Sequence, residues 1–139
     1  MYYEVSSRRI VIDKKGNDKS VTENFLVSNA ALFSEAETAI YLKFSMENDV
    51  VAIKRSGISD ILNACTDGED IYLATIEDTR LDDNGRESTS KVVVALFANS
   101  IEHATQIALN HVFHGMNDMS LVGVKKSKFI DLVKYLGEC

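Results

Sequence analysis

The chain has 139 residues, a net charge of −6 and 45% hydrophobic residues, which is typical of a globular protein and not of a disordered one. The acidic balance argues against attraction of the whole surface to phosphates or anionic membranes, although a local basic strip is compatible with it. The chain has no apolar run of the ~18 residues that a membrane span needs, and it does not begin with a signal-peptide pattern. The two cysteines, Cys65 and Cys139, fit no metal or redox spacing. We therefore expect a cytoplasmic protein that has no cofactor and no membrane partner.

The first half of the chain predicts a β-hairpin, a helix, a strand and a short helix. Ser34 and Glu37 have the spacing of a capping box, which predicts a helix start. Ile58, Ile61 and Leu62 recur at helical spacing. The predicted elements are strands Tyr3–Ile12, Lys19–Val27 and Val50–Lys54, a helix Glu35–Glu47 and a short helix Ile58–Ala64.

The second half predicts the same order of elements. Ser100 is placed to cap a helix that Gly115 ends. The run Val92–Phe97 is apolar on both sides of a strand, which predicts a central strand covered on both faces. Asn84-Gly85 predicts a hairpin turn within a loop from Arg80 to Glu87. The predicted elements are strands Ile71–Thr79, Ser90–Ala98 and Met119–Lys125, a helix Ile101–His114 and a terminal helix Lys128–Leu136.

One stretch of sequence occurs twice, as Ala52–Leu62 and as Gly123–Val133, 71 residues apart. Both copies read small, aliphatic, basic, basic, Ser, any, apolar, any, Asp, aliphatic, aliphatic. The duplication predicts an α+β fold in which a single compact domain is built from two structural repeats, residues 1–66 and 67–139. We expect antiparallel sheets related by pseudo-twofold symmetry, with the repeated Asp60 and Asp131 capping the short helices.

Three segments resemble a known family: Val21–Val27, then Phe33–Glu37, then Ile53–Arg55. The chain resembles a family of small proteins of Bacteroidetes bacteria and their phages that is known only as a domain of unknown function. The resemblance covers the first half closely and the second half mainly by layout, and the sequence departs from the family pattern in the spacer Ser28–Leu32. It implies a phage or mobile-element origin and brings no catalytic residues.

The basic residues of the duplicated motif are the leading candidate for a binding site. Lysine and arginine at two related strand ends could neutralise phosphates, while exposed aromatic rings could stack on bases. A solvated strand end, or ion pairs with Asp60 and Asp131, would explain the same charges without any ligand. Adjacent residues on a strand face opposite ways, so only one of each basic pair can join a given groove. The candidate phosphate-binding residues are Lys54, Arg55, Lys125, Lys126, Arg8 and Arg9, joined by Lys128, with Tyr2, Tyr3, Tyr72 and Phe25 as candidate stacking residues.

Other chemistry finds little support in the sequence. His103, His111 and His114 lie on or near one helix, and His111 and His114 have a spacing that metal ligands can have, but no third ligand is close. Paired carboxylates could hold a metal or act as acid and base, but the acidic residues lie in hairpin loops, where solvated charge is expected. They are Glu77, Asp78, Asp82, Asp83 and Glu87 in one loop and Asp67, Glu69 and Asp70 in the other. No nucleophile motif and no phosphate-binding glycine loop occurs. We therefore expect a protein that is not an enzyme and has no metal site.

These patterns favour a phage or mobile-element protein that binds single-stranded nucleic acid as an accessory factor of replication or recombination. A counter-defence protein that sequesters a nucleotide-type signal, or that inhibits a host defence enzyme, would use the same cations. A virion or assembly protein, in which the long hairpin loops contact neighbours, is a third reading. The expected partners are accordingly single-stranded nucleic acid, a nucleotide-type small molecule or a host protein, and a homo-oligomer is compatible with each reading.

Overall fold

The computed structural model describes residues 2–44, 48–64, 69–115 and 118–137, which form two helices and eight strands. The protein is therefore of the α+β class, as the sequence predicts. Within these described ranges, no helix is long and apolar enough to span a membrane. The strands are β1 (Tyr3–Ile12), β2 (Asp18–Ser28), β3 (Asp49–Arg55), β4 (Ile58–Ile61), β5 (Asp70–Leu81), β6 (Glu87–Ala98), β7 (Asp118–Lys126) and β8 (Phe129–Lys134), and the helices are α1 (Phe33–Phe44) and α2 (Ile101–Phe113).

The strands form two four-stranded sheets, ordered β3-β1-β2-β8 and β4-β6-β5-β7. Written from its other edge, the second sheet has the order β7-β5-β6-β4 and the same layout as the first. Each sheet has an edge strand, then an antiparallel hairpin, then a short strand paired in parallel. The chain divides into two compact units, Met1–Gly57 with Lys128–Cys139, and Ile58–Ser127. The two halves are thus similar in structure, as the duplicated motif predicts.

Each repeat gives its last strand to the other unit. Strand β4 follows β3 in sequence but pairs with β6 of the second unit, and β8 follows β7 but pairs with β2 of the first unit. The predicted short helix from Ile58 and the predicted terminal helix from Lys128 are therefore wrong, because both segments are strands. The duplicated motif is the junction at which the chain crosses between units.

A β-bulge explains why each exchanged strand reads as a helix in the sequence. In β8, Phe129 and Leu132 are three residues apart, yet the residues of β2 that pair with them are two apart. The extra residue, Ile130, shifts the alternation of the strand by one position. Side chains that would share a face at i and i+2 therefore share it at i and i+3, which is a helical spacing. The same shift occurs in β4.

The repeated aspartate of the motif satisfies the backbone at this bulge. The Asp60 carboxylate accepts a hydrogen bond from the N–H of Ile61 at 2.8 Å. The Asp131 carboxylate accepts from the N–H of Leu132 at the same distance. A bulge leaves backbone groups without a ladder partner, so the side chain supplies the missing acceptor. The predicted role as a helix cap is wrong, but the aspartate does have a structural function.

Replacing Asp131 with alanine is expected to lower the free energy of unfolding by about 0.5–2 kcal/mol, because the Leu132 N–H loses its acceptor. The same change at Asp60 is expected to have a similar cost. Asp131→Asn keeps an acceptor oxygen and should retain most of the stability. Urea denaturation followed by circular dichroism measures the three variants. Equal losses for alanine and asparagine would point to the 3.4 Å ion pair between Asp131 and Lys43 instead of the bulge.

The start of α1 differs from the predicted capping box. The helix begins two residues earlier than predicted, so Ser34 lies inside its first turn. The Glu35 carboxylate, in place of Glu37, accepts hydrogen bonds from the N–H groups of Ala31 at 2.9 Å and Leu32 at 3.1 Å. These donors have no partner within the helix, so the carboxylate satisfies them and lies favourably at the positive end of the helix dipole.

Each unit has its own apolar core, packed between one helix and one face of its sheet. Ser100 caps α2 as predicted, since its side chain accepts a hydrogen bond from the His103 N–H at 3.1 Å. Strand β6 is an interior strand with five consecutive buried residues, Val94–Ala98, which confirms the predicted central strand. The first core contains Tyr3, Val5, Phe25, Val27, Ala30, Ala36, Ala39, Ile40 and Val133, and the second contains Tyr72, Ala74, Ile76, Val94, Leu96, Ala98, Ala104 and Ala108.

Candidate nucleic-acid interface

The four basic residues of the duplicated motif lie at the ends of β3 and β7, directly before the chain crosses to the other unit. Lys54 and Arg55 belong to the first unit, and Lys125 and Lys126 to the second. Within each pair the side chains alternate across the strand, so one points to the helix-covered face and the other to the opposite face. Each pair therefore divides its charge between two surfaces, as the sequence predicts.

Most of these cations have partners within their own unit. Exposed ion pairs contribute little to stability, but the carboxylate of each pair neutralises a cation that could otherwise bind a phosphate. Of the four, only Lys125 has neither an ion pair nor a ring contact among the residues that the structure describes. The partners are Glu4 for Lys54 (Nζ to Oε1, 3.7 Å), the ring of Phe33 for Arg55 (6.0 Å to the centroid) and Asp70 for Lys126 (Nζ to Oδ2, 3.3 Å).

Glu4 also pairs with Lys128, whose Nζ lies 3.4 Å from the same carboxylate oxygen that contacts Lys54. Lys128 directly precedes the exchanged strand β8, whereas Lys54 is on β3 and Glu4 is on β1. One carboxylate thus links the end of the edge strand to the incoming exchanged strand. The basic residues at this junction therefore have a structural role. This role explains their charge without a ligand, so the motif is a weaker candidate for a binding site.

The first hairpin extends past its neighbours in the sheet. Strand β3 pairs with β1 only as far as Arg8, and β8 pairs with β2 only from Asn24. Beyond these points, Arg9–Ile12 pair only with Asp18–Val21 among the described residues. Residues 9–21 therefore form a two-stranded ribbon with both edges open. We call residues 8–23, which include the base of this ribbon, the basic arm.

The basic arm carries five basic and three acidic residues, a net charge of +2 in a chain whose net charge is −6. Arg9 forms an ion pair with Glu23 on the neighbouring strand. Sequence reasoning singled out Arg8 and Arg9 but missed the lysines, which a count of charge along the predicted hairpin would have found. Of the five basic residues of the arm, the four that are exposed and have no ion pair within the described part of the chain are Arg8, Lys14, Lys15 and Lys19.

A well-ordered turn sets the direction of the lysines at the tip of the arm. The Asp13 carboxylate accepts hydrogen bonds from the N–H groups of Lys15 and Asn17, each at 2.9 Å. Gly16 has a φ of 81°, in the left-handed region that glycine adopts without strain. This is the three-residue hairpin loop with a left-handed third residue. The turn therefore presents Lys14 and Lys15 together at the end of the ribbon.

The second hairpin repeats this geometry with the opposite charge. Asp82 accepts from the N–H groups of Asn84 and Arg86, and Gly85 has a φ of 76°. The register of the two hairpins is the same at an offset of 69 residues. Residues 77–92, which we call the acidic arm, carry three basic and five acidic residues, a net charge of −2. The positions of Arg8, Arg9, Lys14 and Lys15 are taken there by Glu77, Asp78, Asp83 and Asn84.

The predicted stacking surfaces are not available at three of their four positions. Tyr3, Phe25 and Tyr72 belong to the two apolar cores and are 0%, 2% and 6% exposed. Tyr2 is half-buried and contacts other groups of the protein. The basic arm itself contains no aromatic residue. The prediction that these rings stack on bases is wrong for the three buried residues.

A sequence model of a protein family, described as a domain of unknown function (DUF4494), matches residues 1–135. The chain belongs to the DUF4494 family. No curated protein and no solved structure matches it. The predicted resemblance to a family of unknown function is thereby confirmed, whereas the Bacteroidetes and phage origin stays a prediction. The family description assigns no activity, so the function of the DUF4494 chain has to be argued from its own geometry.

The histidines of the DUF4494 chain lie along α2. The Nδ1 atom of His103 accepts a hydrogen bond from the Asn99 N–H at 3.2 Å, so that nitrogen is occupied at the start of the helix. His111 and His114 line an open cavity of about 350 Å³ together with Leu62. In the described ranges, no group of three His, Cys, Asp or Glu side chains is placed to hold a metal ion.

The remaining candidates of the DUF4494 chain are the acidic loops and the cysteines. Asp78 is buried, and its Oδ2 accepts a hydrogen bond from the Arg80 Nε at 3.0 Å. Asp82 is engaged with the backbone of its own turn, as described for the acidic arm. Cys65, Cys139 and the turn residues 67–68 lie outside the described residues. The basic arm is accordingly the surface on which a binding function is best argued.

Proposed function

We propose that this DUF4494 protein is a non-enzymatic accessory factor that binds nucleic acid, holding the phosphate backbone with its basic arm. Four exposed cations without ion pairs on one hairpin offer the electrostatic contacts that dominate sequence-independent nucleic-acid binding. Replication or recombination of a phage or mobile element is the setting we propose, on the basis of the family resemblance seen in the sequence.

The difference in charge between the two arms carries this proposal. Both hairpins have the same register and the same turn, but one has a net charge of +2 and the other −2. A hairpin of this geometry therefore forms with either sign of charge, and folding does not require the cations of the basic arm. Their mutual repulsion destabilises the isolated protein slightly. A polyanionic ligand would convert that repulsion into attraction.

The negative charge of the whole chain is compatible with this role because of where the arm lies. Four residues of β1, Arg9–Ile12, extend beyond the last residue that β3 pairs with, a length of roughly 13 Å at the usual rise of a strand. The Debye length at physiological ionic strength is about 8 Å. Acidic groups elsewhere on the protein are therefore largely screened from the lysines at the tip.

Replacing Lys14, Lys15 and Lys19 together with glutamine is expected to reduce the slope of log affinity against log salt concentration by up to about 3. Each lysine that contacts a phosphate contributes about one unit to that slope. At ~50 mM salt the affinity should fall on the order of 10- to 100-fold. Fluorescence anisotropy with labelled oligonucleotides, titrated between ~50 and ~200 mM salt, measures both quantities.

The matched control removes three charges from the duplicated motif, through Lys54→Gln, Lys125→Gln and Lys126→Gln. We expect this variant to keep the slope of the unchanged protein. A reduced slope in the control and an unchanged slope in the arm variant would place the interface on the duplicated motif. Absence of any binding at ~50 mM salt would reject nucleic-acid binding altogether. A rise of several degrees in melting temperature with a nucleotide, and none with oligonucleotides, would favour nucleotide sequestration instead.

A further inference from the structure

The shape of the basic arm suits duplex DNA better than other nucleic acids. The arm is a two-stranded antiparallel ribbon with open edges, and the major groove of B-form DNA, ≈ 12 Å wide, admits such a ribbon. The deep and narrow major groove of A-form RNA does not admit side chains in this way. Sequence-tolerant binding of single strands depends on exposed aromatic rings, and residues 8–23 contain none.

One face of the arm has the composition of a surface that reads base edges. Ile10 and Ile12 are 72% and 74% exposed, and they share a face because they are two apart on β1. Arg8 lies on the same face, and the residues paired with Arg8 and Ile10 on β2 are Thr22 and Ser20. The face therefore combines two large apolar side chains with a free cation, two hydroxyl groups and one carboxylate, that of Asp18 opposite Ile12.

The other face of the arm lacks this combination. Its apolar residue Val11 is half-buried. Its cations are Arg9, which forms an ion pair with Glu23, and Lys19, which lies opposite Val11. The acidic arm lacks it as well, because the position of Ile10 is taken there by Thr79. The exposed isoleucine pair is thus confined to the arm and to the face on which an unpaired arginine lies.

We propose that the basic arm lies in the major groove of double-stranded DNA, with Ile10 and Ile12 against the C5-methyl groups of thymines. This inference rests on the proposed function and adds the ligand class, a B-form duplex that contains A·T pairs. The thymine methyl group is the apolar feature of the major groove, and contact with isoleucine removes apolar surface of both from water. Ser20 and Thr22 can hydrogen-bond to neighbouring base edges, while the lysines at the tip reach the flanking phosphates.

The test compares one A·T-rich duplex with the same duplex in which uracil replaces thymine, which removes only the methyl groups. We expect the protein to bind the thymine duplex roughly 4- to 15-fold more tightly, as the burial of one or two methyl groups provides. The double variant Ile10→Ser with Ile12→Ser should bind both duplexes equally and keep the salt slope. Both positions are exposed, so this variant should fold normally, which circular dichroism checks. Leu81→Ser, at the position of the acidic arm that corresponds to Ile12, should keep the preference for thymine.

The outcomes separate this inference from the proposed function. Equal affinity of the unchanged protein for the thymine and uracil duplexes would overturn the groove contact, as would tighter binding to the single strand of the same sequence. If the lysine variant then still loses affinity and salt slope, phosphate binding by the arm stands without the groove. Failure to bind any of these nucleic acids would overturn both proposals.

Discussion

Replacement of Val133 by aspartate is expected to lower the free energy of unfolding by roughly 3–5 kcal/mol. Val133 is on the exchanged strand β8, is 2% exposed and packs in the core of the first unit with Tyr3, Phe25 and Val27. A carboxylate at this position would be removed from water without a partner, and the apolar contacts of the valine would be lost. Urea denaturation followed by circular dichroism measures the loss.

Leu136→Asp is the matched control for Val133→Asp. A helix would bury both side chains, whereas the observed strand buries only Val133, so the two variants together distinguish the strand from the predicted helix. On the helix that the sequence predicts, Leu136 would lie three residues after Val133 on the same buried face. In the structure Leu136 follows the strand, has a φ of 50° and is 73% exposed. We expect its replacement to change stability by less than about 0.5 kcal/mol. Losses of similar size for both variants would contradict the exchanged strand.

The elements that the sequence predicts well are those specified by local chemistry. All six long strands occur within three residues of their predicted ends, because alternation of apolar residues and the charged turns between them are local features. Ser100 and Gly115 bound α2 for the same reason. The misplaced start of α1 is also informative, since Ser34 and Glu35 are both plausible capping residues and only the path of the chain before the helix decides between them.

The exchanged strands could not be derived from local patterns. The bulges at Ser59 and Ile130 convert the spacing of a strand into that of a helix. The partner of each strand is also remote in sequence, since β8 pairs with β2 more than 100 residues earlier. No periodicity specifies such a partner. The duplicated motif is nevertheless explained, because both copies build the same junction with the same bulge and the same aspartate.

The residues that explain the fold are shared by the two repeats, whereas the residues of the candidate site differ between them. Features that the two repeats share, such as Asp60 with Asp131 and Asp13 with Asp82, have structural explanations in both units. Among the features that differ between the repeats on the same backbone, the clearest without such an explanation is the replacement of Arg8, Lys14 and Lys15 by Glu77, Asp83 and Asn84. The repetition in the sequence drew attention to the shared residues. The binding function is better argued from the residues that are not shared.

Replacement of Tyr3 by alanine is expected to cost roughly 3–5 kcal/mol of the free energy of unfolding. Tyr3 is fully buried on a central strand, and its ring contacts Phe33 edge-to-face at 5.1 Å between centroids. Its hydroxyl donates a hydrogen bond to the Ala31 carbonyl at 3.0 Å, which ties the segment before α1 to the sheet. Alanine removes the ring, the aromatic contact and the hydrogen bond, and it leaves a cavity between sheet and helix.

Tyr3→Phe separates the hydrogen bond from the packing of the ring. This variant keeps the buried ring, so we expect a loss of only about 0.5–1.5 kcal/mol, the usual net value of one hydrogen bond. Tyr72 occupies the equivalent position of the second unit, and its hydroxyl makes no hydrogen bond within the described ranges. Tyr72→Phe should therefore change stability less than Tyr3→Phe does. Equal effects of the two phenylalanine variants would show that the bond to Ala31 contributes nothing to the attachment of α1.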